Sequence, residues 1–428
     1  MPKLSSVKVL IFSACLSWTT TATADVVVDW NAIAGQAVAN AGPARPGPSG
    51  LIDWAMVQLA VHDALQAYQH HYESYGAPIA NASGSPVAAV AKAARDVLYG
   101  VGLTTVSTNP LVTVDDRYNA YLAANSLLPT NPGTFVGQQA AANILNLRVG
   151  NTGAVPPGAE QFLGGTGPGD WRPTTFNAGQ PVPMIAAYLG KLLTFTLQEA
   201  GQFRGNPPPH LASGKYADDY NEVKSLGSLT GSDRTPEQTD TALFFADNAL
   251  QYWNRCMRLL PDTLFADSGD RGRMFALVEV AMADSLITSW ESKRHWNFWR
   301  PQTAVQLGDS DGNPRTVGDP SWLPFIATPN YPDYTSGANN LGGAATTMLG
   351  NFFGTDKMTF TMTSNFVHPS GLLPKNPRVY ERFSDAEKDI VDARILEGIH
   401  FRFADEVARR QGKQVANWAF SHFLRPIN

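Results

Sequence analysis

The stretch Ser289 to Pro301, SWESKRHWNFWRP, decides how the rest of the 428-residue chain is read. As a helix it places Lys293 and Arg300 seven residues apart, two turns, on one face. Trp290, Trp296, Phe298 and Trp299 surround them, and a surface helix does not ordinarily expose so much aromatic bulk. Two cations at the wall of a largely buried pocket need an anion. The competing reading is a core-facing helix whose Lys and Arg stems are buried while their heads reach water. The Arg300-Pro301 step ends or bends the helix, because the residue before proline avoids helical dihedrals.

Working outward, apolar spacing predicts helices on both sides. Arg271 to Arg294 forms a long helix leading into the central stretch. Asp53 to Tyr72 carries Ala55, Met56, Leu59, Ala60, Ala64 and Leu65 at helical intervals, with His62 read as a hydrogen-bonded core residue. Ser85 to Leu103, Val114 to Leu127, Thr134 to Val149, Ser213 to Leu226 and Asp240 to Leu259 follow the same pattern. The last holds Asp247 between aromatic residues, where a carboxylate needs a cation or donors to stay ionised. Gly150 to Pro183 reads as a long Gly/Pro-rich loop, the kind that forms a cap or channel wall. Beyond the turn-rich Val305 to Pro332, two more helical stretches begin. Thr335 or Ser336 caps the first; Ser384 caps the second, with Glu387 completing a capping box. With few period-two segments, the fold class is all-α.

Composition narrows the function classes. A net charge of -5 with no basic run excludes nucleic acid as a natural partner, and 43% hydrophobic residues supply a sizeable core. Residues 1–24 read as a secretory signal peptide: Lys3 and Lys8, the apolar run Val9 to Leu16, then Ala22-Thr23-Ala24 before Asp25. That places the mature protein in the periplasm or outside the cell, with no transmembrane segment. Its removal takes Cys15 and leaves Cys256 alone, a small buried hydrophobe. The remainder divides into an N-terminal helical region, 25–230, and a C-terminal region, 231–428, that carries the chemistry.

That chemistry lies in three pieces. Lys293 and Arg300 are the first. Ser336-Gly337 opens a helix, whose N-terminus is a ready anion site. Arg394 and His400 stand six residues apart. Two cations, a Ser-Gly helix start, an Arg and a His suit a phosphate-shaped anion. With these motifs the chain resembles the vanadium-dependent haloperoxidases of the bacterial type. That family shares its helical bundle and oxyanion pocket with the type-2 phosphatidic acid phosphatases and the bacterial non-specific acid phosphatases. Its Lys followed seven residues later by Arg-Pro is matched by Lys293 and Arg300-Pro301, its Pro-Ser-Gly-His by Thr335-Ser336-Gly337-Ala338, and its Arg six residues before a His by Arg394 and His400. The likeness extends to NFWRP, GDSDGNP, Tyr331 to Tyr334, GIHFRF and MVQLAVHDALQAY, most of the mature chain.

The resemblance implies a helical bundle with long loops over the pocket, and vanadate as cofactor, with phosphate the alternative in the same place. It implies that His400 binds the metal, that Lys293, Arg300 and Arg394 neutralise the equatorial oxygens, and that Ser336 and Gly337 complete the cradle. Asp247 pairs with Arg394 in this reading, and Trp290 and Tyr331 flank the cofactor. The expected reaction oxidises halide with hydrogen peroxide, and a small organic acceptor is halogenated. Ala338 is the departure: the family has there the histidine that exchanges protons with bound peroxide, or with the leaving group in phosphatases. His295, His368, His210, Asp333 and a water held by Asn339 are the candidate substitutes. Two alternatives accompany the haloperoxidase: a phosphomonoesterase working through phospho-His400, and a pseudoenzyme that binds oxyanions without turnover.

Overall fold

The computed structural model describes residues 25–427, so the expected signal over 1–24, with Cys15, lies outside the described residues. Thirteen α-helices are found among them. The first five are α1 (Val26–Ala39), α2 (Gly50–Gln69), α3 (Pro86–Gly100), α4 (Val114–Ala124) and α5 (Pro132–Leu147). After the long 150–183 loop come α6 (Gly214–Leu226), α7 (Pro236–Phe245), α8 (Ala249–Arg258), α9 (Ser268–Trp296) and the short α10 (Pro301–Gln306). The last three are α11 (Gly337–Phe353), α12 (Phe383–Leu396) and α13 (Arg402–His422). Strands form only three two-stranded antiparallel hairpins among the described residues. None of the described helices is long and apolar enough to cross a membrane.

Helix α9 is the axis. Asp267 caps it, its carboxylate accepting from the Gly269 and Asp270 N-H groups at 2.7 and 3.0 Å. From Gly269 to Lys293 almost every residue is buried, the burial of a helix covered on all sides. It packs against α2, α11 and α13. One apolar cluster runs from Trp30 and Trp54 through Trp253 and Met282 to Leu341 and Ala416. Helices α11 and α13 touch backbone to backbone because of two glycines. A Cβ on Gly343 would lie 2.3 Å from the Arg409 carbonyl oxygen, and one on Gly412 2.1 Å from that of Asn340.

Four expectations are corrected. The single helix over Asp240 to Leu259 is two, α7 and α8. Asn248 caps α8 by accepting from the Leu250 N-H at 3.0 Å, and a side-chain bond of that kind competes with helix continuation. Ser384 caps nothing: α12 starts one residue earlier, and Ser384 donates its N-H and hydroxyl to Asp356 at 2.9 and 2.7 Å. Glu387 pairs with Lys413 at 2.8 Å instead of reaching back. Finally, the Lys293 to Arg300 stretch is not one helix. Helix α9 stops at Trp296, Asn297 turns left-handed at φ 48°, and Arg300 is extended.

Candidate functional site

Lys293, in the last turns of α9, is fully buried. Its Nζ donates to the carbonyls of Pro332 and Asp333 at 2.7 and 3.0 Å and lies 4.9 Å from the centre of the Tyr331 ring. Burial first, then the Arg300 charge, holds its pKa well below the usual lysine range, while Asp333 and Asp405 pull the other way. Arg300 reaches the same place by chain reversal, not along a helix face. Its Nε donates to Tyr331 O at 2.7 Å, and its Nη1 to Ile399 O at 2.7 Å. The same Nη1 lies 3.0 Å from His400 Nε2, and Nη2 is buried without a partner among the described residues.

His400 sits in the connection between α12 and α13, two residues after Gly398 at φ 79° has ended the first helix. Its ring is buried, with Nδ1 2.8 Å from Asp333 Oδ1. Arg300 can only donate, so Nε2 accepts and the ring proton belongs on Nδ1, toward the carboxylate. Burial, then Arg300, Lys293 and Arg394, push the His400 pKa well below the usual imidazole range. The ring is therefore neutral, with its Nε2 lone pair among three cations. Asp333 is pushed up to about 7 by burial, against the pull of Arg300 and Lys293.

Arg394 completes the cationic wall. Its partner is not Asp247 as expected but Glu397, one turn on, at 2.6 Å. Asp247 lies in the break between α7 and α8 and pairs with Arg255, also accepting from the Asn365 N-H at 2.9 Å. The reason is local: the carboxylate at i+3 reaches Arg394 along its own helix, whereas Asp247 has Arg255 on the next one. Glu397 is a residue the sequence reading missed, although its spacing from Arg394 could have shown it.

Ser336 is the N-cap residue of α11, yet its side chain makes no capping bond. Its N-H donates to the Ala404 carbonyl at 3.3 Å, tying the start of α11 to the start of α13. Gly337 runs so close to Trp290 that an added Cβ would meet the indole at 3.2 Å. A cavity of about 330 Å³ opens over this floor, its lining including Leu250, Trp290, Tyr331, Ala338, Arg394 and His400. Trp290 and Tyr331 pack against each other in its wall, ring centres 5.0 Å apart. Phe298 and Trp299 belong instead to a second apolar cluster, with Tyr216 and Phe401. The irregular 150–183 segment is followed at once by Ile185, whose carbonyl accepts from Trp290 Nε1 at 3.1 Å.

The candidate replacements for an imidazole at position 338 separate cleanly. His210 and His295 are exposed. His368 is buried, stacked on Phe325 and bonded to Ser370 and the Phe325 carbonyl. Asp333 is in the cluster, but beside His400. Asn339 is buried, its amide donating to Asp405 Oδ1 at 2.8 Å.

Comparison with known proteins relates the chain and its fold to the vanadium haloperoxidases. Residues 273–428 match the family model of the VCPO second helical-bundle domain. A vanadium chloroperoxidase of Curvularia inaequalis is 27% identical over 201 residues, 39% of this chain, and the match spans about a third (32%) of that relative. The fold is similar to that of the first bacterial vanadium-dependent iodoperoxidase, with a TM-score of 0.74 at 21% identity, over 94% of this chain and 96% of that one. It is also similar to a holo-type bacterial vanadium-dependent chloroperoxidase, with a TM-score of 0.71 at 17% identity over 90% and 94% of the two chains. Residues 273–428 thus belong to the VCPO second helical-bundle family, and the chain as a whole has the helical fold of the vanadium haloperoxidases.

Proposed function

We propose that the cavity binds vanadate and that the protein is a haloperoxidase, oxidising halide with hydrogen peroxide and passing the oxidised halogen to a small organic acceptor. The observation that carries this reading is the neutral Nε2 of His400 beside the buried Arg300 and Lys293 and the largely buried Arg394, whose side chain is 11% exposed. Two guanidinium donors there, Arg300 Nη2 and Arg394 Nε, have no partner among the described residues, and a buried donor left unpaired costs about 1–3 kcal/mol. An oxyanion of four or five oxygens supplies the missing acceptors, so the residues fit the group. His400 would hold it through Nε2, Arg300 and Arg394 would donate to its oxygens, and the Gly337 N-H at the start of α11 would face it. Vanadate, when bound, supplies a Lewis acid that activates peroxide toward halide.

The chain's own part is electrostatic. Fixed donors in a site shielded from water stabilise negative charge without reorganising. Asp333 keeps the His400 proton on Nδ1, which leaves Nε2 unprotonated. The apolar wall of Leu250, Leu286, Trp290 and Leu341 excludes water and offers an organic acceptor a surface. Export through the 1–24 leader is part of the same proposal. The test is halogenation of a phenolic dye with peroxide and bromide, with and without orthovanadate, in wild type and Ala338→His. Vanadate-dependent turnover by wild type is expected. The methyl group of Ala338 favours a second reading, an oxyanion binder without turnover. Activity confined to Ala338→His selects that reading, and hydrolysis of a phosphomonoester with neither halogenating would select phosphoryl transfer through His400.

A further inference from the structure

Behind the stretch of pocket wall formed by Gly337 lies a buried acid-base group that the reaction as described leaves idle. Asp405, in the first turn of α13, is fully buried. Its Oδ1 accepts from Asn339 at 2.8 Å, and the Ser336 hydroxyl lies beside the same carboxylate. Its Oδ2 is buried without a partner among the described residues. Ser336 fits this environment: it occupies a capping position but makes no capping bond, so its hydroxyl is left for other partners. Asn339 Nδ2 lies 3.4 Å from that hydroxyl as well, so one amide spans serine and carboxylate.

We propose that Asp405, acting through Ser336, is the proton reservoir of the oxyanion pocket and does the work that Ala338 cannot do. This rests on the oxyanion reading above. The step balances without a co-reactant. The Ser336 hydroxyl gives its proton to an oxygen of the bound anion while taking one from the Asp405 carboxyl; the carboxyl becomes a carboxylate, and the reverse shift restores it. Asp405 touches no reacting atom in this scheme and is a positioning residue. The other carboxylates of the cluster each face a nitrogen of the oxyanion site: Asp333 Oδ1 lies 2.8 Å from His400 Nδ1, and Glu397 2.6 Å from Arg394, whereas Asp405 faces the Ser336 hydroxyl. The charged groups facing Asp405 come from every side: Asp333, which raises its pKa; Arg394, which lowers it; and Lys293 and Arg300, on which it acts in turn. Burial outweighs the cations and holds the carboxyl well above the usual range, so it carries a proton to give.

An arriving anion strengthens that hold, so binding should draw in a proton. The measurement is calorimetric titration of the full-length protein with inorganic phosphate, from about pH 5 to about pH 9, in two buffers of different ionisation heat. Wild type should take up as much as one proton more than Asp405→Asn. Its affinity should fall with rising pH more steeply, by up to about tenfold per unit. Asp405→Glu should restore the wild-type profile, which a purely structural role would not require. Ser336→Ala should lose the uptake as Asp405→Asn does, and decides the matter if Asp405→Asn fails to fold. Unchanged uptake in Ser336→Ala, or in a folded Asp405→Asn, overturns the reservoir while leaving the oxyanion site standing. Failure of wild type to bind phosphate or orthovanadate at any pH overturns both.

Discussion

The molecule buries carboxylates in two regions and treats them differently. In the scaffold, Asp284 on α9 accepts from the Phe195 N-H at 2.6 Å, the Thr196 N-H at 2.7 Å and the Thr196 hydroxyl at 2.6 Å. Asp63 on α2 accepts from the Tyr75 and Gly76 N-H groups, both at 2.8 Å, and Asp53 from Arg45 and the Gly153 N-H. Each fastens a loop to a helix and uses both oxygens. In the pocket, Glu397 and Asp405 keep oxygens without hydrogen-bond partners among the described residues, and two arginines keep unpartnered N-H groups. A buried polar group normally finds its partners. A cluster that leaves several unpaired on both sides of the charge is built to be completed by a ligand.

The comparison breaks most visibly at His400 and Arg300. His400→Ala and Arg300→Ala should each lower vanadate-dependent halogenation by about 10³-fold or more, and weaken phosphate binding in a direct titration. Arg300→Ala should also cost stability, because it strands the part-buried Tyr331 and buried Ile399 carbonyls, so the readout that marks this region is the loss of binding. Asp284→Ala is the opposite case. It strands three buried donors and should lower the unfolding free energy by about 3–5 kcal/mol in urea, with the phosphate affinity of the remaining folded protein unchanged.

Glu279 is the exception within the scaffold. It is fully buried on α9, and neither oxygen has a well-formed partner among the described residues. Burial pushes its pKa up to about 8, against the pull of Asn254 and Arg258, so the carboxyl is neutral in the native state over most of the physiological range. An acid whose pKa is raised by folding stabilises fully below its unfolded pKa, and that contribution is lost as pH rises through the folded value. Wild type should therefore lose melting temperature relative to Glu279→Gln between about pH 5 and about pH 8. Parallel curves would mean that Glu279 is ionised and paired after all.

How much of this was legible in the sequence depends on whether the partners are local. Ser213 announces a helix start because an N-cap is written within four residues, whereas Asn131 and Thr235 cap helices that apolar spacing alone starts later, at Thr134 and Asp240. The spacing of Lys293, Arg300, Arg394 and His400 marks residues that the structure brings together around one imidazole. The route was not legible: a helix over 289–301 and the turn at Asn297 both draw Lys293 and Arg300 together, and only the left-handed residue distinguishes them. Carboxylate partners were the least readable. An acidic residue in the first turn of a helix, as Asp405 is, looks like ordinary compensation of the helix dipole. Its burial against Asn339 comes from α11 meeting α13, which no short window of sequence contains.

The smallest expected effect sharpens the comparison most, because it concerns two carboxylates that line up differently in sequence and in space. Asp247 borders the cavity, yet its charge is taken up by Arg255, so Asp247→Asn should change phosphate affinity by less than about threefold. Glu397 is fully buried against Arg394, and Glu397→Gln frees a guanidinium whose only other bond among the described residues is a long one, 3.3 Å to the Phe245 carbonyl. That variant should bind phosphate about tenfold more tightly at neutral pH, because the anion no longer competes with a fixed carboxylate for Arg394. Burial raises the Glu397 pKa to about 7, so the advantage should fade as pH falls below that value, where the wild-type carboxyl is protonated and ceases to compete. If Asp247→Asn instead gave the larger, pH-dependent change, Arg394 would turn to Asp247 when an anion is bound, and Glu397 would belong with the scaffold carboxylates.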